Sequence, residues 1–414
     1  MRGAFGVVRK ISGFNIRAPK VVKLKSGLLS KTEDERQSRW QEHFCEVFSG
    51  KIETCRDSLI TEPGLPIAEH TFRVAPQDLL QQFIMMSTGK GLGPDTISSD
   101  LLKCGGFPMS LAVSRVTDRL VSSERWPVNW KGGRLVELFK GKGDAKVCDA
   151  SRGLLIGDHM AKGFIGCLKD SIENLYTANM PSCQHGAVSG GGSDLAHHLV
   201  LSAIDYAFAM SLSIFVLFVD LVKAFDKVLR ELVMGFPHGV PLSNDAKIAY
   251  LVSIGLSRDE ALWMVDYINE HGSAFDQWEV DKKVTALICG LHSKAWASYG
   301  ESTSYIVTST GGRQGCKLGA IIFNAAYSLA LSVLHARLRA ASITLRLRRY
   351  DAPFWSQDAA ADSEYVEEDI IDAAFVDDEA IILTASSPKA LMKAVRILLD
   401  ILPDTFQRFR PEIS

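Results

Sequence analysis

At 414 residues, 47% apolar and 23% charged, the chain has material for two or three packed subdomains and is too apolar for a long disordered polymer. A formal net charge of −2 gives no overall basic excess of the kind common in nucleic-acid binders, although basic stretches at 20–25, 131–146 and 337–349 leave room for a local groove. Eight cysteines, none in a C-x-x-C pair, suggest by spacing neither a zinc site nor a redox dithiol and suit a reducing interior.

The opening residues MRGAFGVVRK lack the apolar core of a signal peptide, and the most apolar stretches, 211–219 and 320–334, fall short of the ~20 residues that span a bilayer. The expectation is a soluble intracellular protein, cytoplasmic or nuclear, with no membrane partner. Residues 1–75 start basic and turn into a helical stretch, EDERQSRWQEHFCEVF, whose Trp40, Phe44, Val47 and Phe48 form one apolar stripe. Pro63, Gly64 and Pro66 break the chain. A second helix is expected from Pro76, with Leu79, Leu80 and Phe83 inward, ending before the turn GKGLGPD. Residues 134–139, RLVELF, read as a strand followed by the polar turn GKGDAK, and the segment after Arg152 reads as strand then helix. Beyond the glycine-rich GAVSGGGSD, Asp194 is a candidate cap for the helix carrying His197 and His198. Residues 213–219, SIFVLFV, form a buried-type strand ending on Asp220, with a turn of helix after it. Stretches 243–284 and 351–369, acidic or irregular, look like insertions, the second an exposed loop, and no internal repeat is visible.

Three segments carry chemistry. In LFVDLVKAFDKV an apolar strand delivers Asp220. In AAFVDDEAIIL two apolar strands flank Val376-Asp377-Asp378, a hairpin with paired carboxylates at its tip. Between them, GGRQGCKLGAIIFNAAYSLAL is a glycine-bearing turn entering a long apolar helix. Alone, a strand-end Asp is commonly a cap, an Asp-Asp pair a solvated turn, and the third segment a loop feeding a core helix. Together they suit nucleotidyl transfer, because Mg²⁺ takes carboxylate and phosphate oxygens and two such ions serve both the attacking and the leaving oxygen. Adjacent carboxylates repel each other unless a cation offsets their charge.

In order, the three segments resemble the palm motifs of reverse transcriptases, most closely those of non-LTR retrotransposons (LINE-type elements), which read F-x-D-L-x-K-A-F-D, R-Q-G-C-x-L and F-x-D-D. Upstream, GKGLGPDTISSDLLK, ELFKGKGDAKVCDASRGLLIGDHMAKGF, QHGAVSGGGSDLAHH and RWQEHFCEVFSG resemble the fingers segments, the glutamine-bearing turn and the helical linker of that family, in collinear pieces over 39–383. The chain departs from the family at Thr96, Ser151, Lys317 and Gly319. The resemblance implies an α+β right-hand polymerase fold, with fingers and palm, an antiparallel palm sheet backed by helices, and the thumb largely missing from what would be a partial reading frame. It divides the chain into a helical linker (1–75), fingers with part of the palm (76–210), palm with insertions (211–388) and a truncated C-terminal segment (389–414). It implies RNA-directed DNA synthesis from dNTPs on an RNA template and DNA primer, with two Mg²⁺ ions, or Mn²⁺ in their place. Asp220 and Asp377 would be metal ligands and Asp378 the third carboxylate. Arg152, with Lys140 or Lys142, would hold the triphosphate. Phe225 would be a steric gate against a 2′-hydroxyl, or a core aromatic, or both. Gln314 and Gly315 would line the nascent base pair. A partner chain or a missing domain would supply thumb and endonuclease. The alternative is an inactive truncated remnant or an RNA-binding, polymerase-like scaffold.

Overall fold

In the computed structural model, residues 21–60, 71–236, 242–300, 302–313, 315–350, 365–409 and 412–413 are described. The chain is α+β and falls into two compact units, one formed by Met1–Cys167, Cys289–Ser309 and Arg313–Cys316, the other by Leu168–Ile288, Thr310–Gly312 and Lys317–Ser414.

The first unit is built on a mixed five-stranded sheet of β1 (Lys51–Glu53), β2 (Gly132–Phe139), β3 (Ser151–Gly157), β5 (Ala295–Tyr299) and β6 (Tyr305–Thr308), in the order β1-β6-β5-β2-β3. Only the β2–β5 pairing is parallel. The apolar stripe anticipated in the leading segment lies on α1 (Glu33–Val47), which begins with a Thr32–Glu35 capping box. Trp40, Phe44, Val47 and Phe48 pack with Leu135, Ala297, Tyr299 and Ile306, so this helix is part of the unit's core. Salt-bridged Arg36 and Glu137, 2.6 Å apart with largely buried side chains, tie it to β2. The next helix, α2 (Pro76–Met85), starts at the expected proline and buries Leu79 and Phe83, with Leu80 half-buried.

The second unit contains an antiparallel sheet of β4 (Ser213–Val222), β9 (Asp372–Phe375), β10 (Asp378–Ala385) and β11 (Glu412–Ile413), ordered β11-β4-β10-β9. A separate ribbon pairs β7 (Leu345–Tyr350) with β8 (Tyr365–Ile370). Register assigns the two faces of the main sheet, because directly opposed residues of an antiparallel pair share a face and neighbours along a strand alternate. On one face Ile214, Val216, Ala380 and Ile382 pack with Val200 and Ala203 of α3 (Ser193–Ala209). On the other, Val219, Leu221, Ile381 and Leu383 are buried, and α4 (Gly319–Ala340) and α5 (Pro388–Phe409) pack together in this unit, Tyr327 against Phe406. By length and composition α4 could cross a membrane, but 67% of its apolar window is buried as a core helix.

Three expectations are corrected. The strand ending on Asp220 continues to Val222, where β11 pairs with it, and it is half-buried over 213–217 because one face of the sheet is only partly covered. The cap of α3 is Gly192, with no side-chain bond; Asp194 lies inside the first turn, where a carboxylate favours the helix through its dipole. The stretch 243–284 is helical and ordered by capping serines: Ser243 caps Asn244–Ser253, Ser257 caps Arg258–His271 and Ser273 caps Ala274–Gln277. Most of the loop expected at 351–369 lies outside the described residues; its end, Tyr365–Ile370, forms β8.

Candidate active site

Asp220 and Asp378 are direct cross-strand partners of β4 and β10, so both project from one sheet face. This is the face that α3 covers farther along at Val216 and Ile382. Past that helix the face is bare: Phe218 is 76% exposed, and Asp220 and Asp378 are exposed. Asp377 is half-buried in the two-residue turn Val376-Asp377, which joins β9 to β10 through the pair Phe375–Asp378. The hairpin tip read from the sequence therefore exists, with Asp378 as the first residue of its second strand. Like charges directly opposed on a sheet destabilise it, and only oxygen donors are offered, a combination that fits a hard cation.

The turn is under backbone strain. Val376 has φ 62°, which a β-branched residue seldom adopts and which this type of hairpin turn usually gives to glycine. Gln184 holds it there. The Val376 amide donates to Gln184 Oε1 (2.8 Å), and Gln184 Nε2 donates back to the Val376 carbonyl (3.1 Å). The Gly186 amide also donates to Gln184 Oε1 (2.9 Å). The chain around Gln184 runs alongside β9, with His185 N bonded to Ala374 O and Ala374 N to Cys183 O, both 2.8 Å. Only glycine fits at 186, because a Cβ there would collide with the Val376 backbone. Asn324 of α4 completes the support, donating to the Gly186 carbonyl (2.9 Å) and to the Tyr176 hydroxyl (2.7 Å). A continuous chain of bonds thus runs from α4 through Asn324, Gly186 and Gln184 to the strained turn that carries Asp377.

The helical turn after Asp220, Ala224–Lys227, anchors the start of the glycine-bearing segment. Gly312 N bonds Phe225 O (2.9 Å), Gly311 N bonds Val228 O (2.8 Å), and the buried Arg230 guanidinium donates to the Thr310 and Gly311 carbonyls. Phe225 is half-buried and stacks on Phe323 of α4, centroids 4.8 Å apart.

Behind the sheet, Tyr327 donates to Glu379, and both are buried. Burial, with the neighbouring Asp372 charge, pushes the Glu379 carboxyl well above its usual range. Burial also works against ionising Asp372, but the hydrogen bond and charge of His335, 2.8 Å away, outweigh it and hold that carboxyl low.

Within the first unit, Arg152 on β3 pairs with Leu138 on β2, and Lys140 and Lys142 follow at the same end of that hairpin. All three are exposed, and Lys140 donates to Asp149 O (3.0 Å). Gly315, at φ +99°, lies against β3, where a Cβ would stand 2.6 Å from Leu155 O. Gln314 lies outside the described residues. Gly315 also lines a small pocket with Asp158, Lys162, Arg313 and Cys316. Arg313 is 9% exposed, and its Nε and Nη1 have no hydrogen-bond partner. Burial lowers the pKa of both Arg313 and Lys162. Asp158 in the same pocket is pushed up to about 6 by burial, against the hydrogen bond it accepts from the Asp95 amide (3.1 Å).

Sequence reasoning gave no role to Gln184, Asn324 or Arg313. The signals were a glutamine two residues before a glycine, a single amide in the apolar first half of a helix, and a cation beside the Gln314-Gly315 pair. No protein-family model matches the chain, and no curated protein is significantly similar to it.

Proposed function

We propose that the chain carries the fingers and palm of a reverse transcriptase of the non-LTR retrotransposon type. The observation that carries this reading is the cross-strand pair Asp220–Asp378, with Asp377 in the adjoining turn, on an uncovered sheet face. The four-stranded sheet backed by α4 and α5 is then the palm, and the β2–β3 hairpin of the first unit belongs to the fingers.

On this reading Asp220 and Asp377 would hold two Mg²⁺ ions, with Asp378 as the third carboxylate. When bound, those ions make the primer 3′-hydroxyl a better nucleophile and take up charge on the leaving pyrophosphate. In the reaction the primer 3′-oxygen would attack the α-phosphorus of the dNTP and give up its proton to solvent; the new P–O bond forms as the bond to the bridging oxygen of the β-phosphate breaks, and pyrophosphate leaves. The chain's own contribution is placement. Gln184 fixes the turn, and Asn324 and Gly186 fix Gln184. In the fingers, Arg152 and Lys140 meet the triphosphate, for which a guanidinium fork is suited. Buried Arg313 and half-buried Lys162 would add positive charge beside Gly315. Phe225, which stacks on Phe323, would be the gate against a 2′-hydroxyl on this reading.

Primer extension on an RNA template with Mg²⁺ tests the reading. Wild type extends the primer with dNTPs, and Asp220→Ala does not. If folded wild-type protein binds RNA but adds no nucleotide, the enzyme reading fails and a non-catalytic scaffold takes its place.

A further inference from the structure

Away from the bare sheet face, three residues remote in sequence converge. Cys183 precedes the Gln184 turn, His335 lies on α4, and Asp372 opens β9. The thiol sulfur, an imidazole nitrogen and a carboxylate oxygen all lie within 4.8 Å of one another, with Cys183 and Asp372 buried and His335 half-buried. His335 Nε2 and Asp372 Oδ2 are 2.8 Å apart. The group faces a cavity of mixed lining, with His185, Arg339 and Asp369 beside Leu199 and Ile370. His185 Nε2 is buried and has no hydrogen-bond partner.

We propose that Cys183, His335 and Asp372 form a zinc site, with a water from the cavity in the fourth position. The donor set selects the metal. Thiolate, imidazole and carboxylate together suit Zn²⁺, whereas Mg²⁺ and Ca²⁺ take oxygen ligands only. Charge balance agrees: one thiolate, one carboxylate and a neutral imidazole carry two negative charges against a divalent ion in a buried setting, where net charge is costly. On binding, the Cys183 thiol loses its proton to solvent and a Zn–S bond forms, with no change in oxidation state. The ion would clamp three elements: α4, the start of β9, and the segment whose next residue, Gln184, holds Val376. It would thus brace the Asp377 turn from behind without touching substrate. Spacing in the sequence could not disclose the site, because each ligand comes from a different element.

The test uses the full chain, stripped with a chelator and reloaded with Zn²⁺ or Co²⁺ alone. Wild type is expected to retain one zinc per chain after gel filtration and, with cobalt, to show a thiolate-to-cobalt charge-transfer band. Cys183→Ser loses both. Asp372→Asn, which keeps the thiol, drops below stoichiometric zinc and serves as the second variant if Cys183→Ser does not fold. Asp220→Ala keeps full zinc content, so loss of nucleotide transfer and loss of zinc are read separately. Folded wild type that takes up no stoichiometric zinc overturns the proposal, as does a cobalt–thiolate band that survives in folded Cys183→Ser.

Discussion

Replacing Gln184 by methionine keeps most of the side-chain volume and removes every hydrogen bond to the strained turn. Three bonds are lost, at 2.8, 2.9 and 3.1 Å, from a residue only 5% exposed. Each contributes about 1 kcal/mol net, and a donor left buried without a partner costs about 1–3 kcal/mol. Val376, at φ 62°, also gains a way to relax once released. The local loss is therefore roughly 3 kcal/mol. Amide hydrogen exchange reads this at the right place, since local opening sets the rate. The Val376 and Gly186 amides are expected to exchange roughly 100-fold faster in Gln184→Met, by the rule of about 1.4 kcal/mol per tenfold. Amides of the β2–β3 pairing in the other unit are expected to stay unchanged. If Val376 and Gly186 keep wild-type protection, Gln184 does not hold the turn and the positioning argument is wrong.

Gly186→Ala should lower the denaturation midpoint through overpacking, by about 1–3 kcal/mol, because the new Cβ meets Val376 backbone and stands 2.8 Å from the Phe375 carbonyl carbon. Asn324→Leu should destabilise through two lost bonds to buried partners, by about 2–4 kcal/mol, with faster exchange at Gly186 as the site-specific check. Arg313→Met should raise stability in thermal unfolding, since a guanidinium with two unpartnered nitrogens leaves the interior, while weakening dNTP affinity in the extension assay. Asp158 has a folded pKa raised to about 6, so the folded state binds more protons than the unfolded state between the ordinary carboxyl pKa and about 6. Its contribution to stability is accordingly lost as pH rises through that window, and Asp158→Asn should flatten this part of the pH–stability curve and stabilise by roughly 1–3 kcal/mol above it.

The legible parts of the fold were those that local pattern determines. Trp40, Phe44 and Val47 announced α1 because a 3.6-residue stripe has one way to bury itself. SIFVLFV and AAFVDDEAIIL announced strands through β-branched and aromatic residues, and a tight turn between apolar runs announced the hairpin. The opposition of Asp220 and Asp378 was not legible, because register depends on pairing across a long stretch of chain. Nor was the support of the turn: Gln184 and Val376 meet only after α4, β9 and the Cys183–Gly186 segment have assembled. Helices within 243–284 had a local signal too: Ser257 and Glu260, a capping box three residues apart, mark the start of Arg258–His271.

The most direct measurement is the single-turnover rate of adding one dNTP to a primer paired with an RNA template, across a Mg²⁺ titration, for wild type and for Asn at 220, 377 and 378 in turn. The account expects Mg²⁺-dependent addition by wild type, a loss of about 10³-fold or more for Asp220→Asn and Asp377→Asn, and a smaller loss for Asp378→Asn. Wild-type addition that is unchanged in folded Asp220→Asn and Asp377→Asn would contradict it.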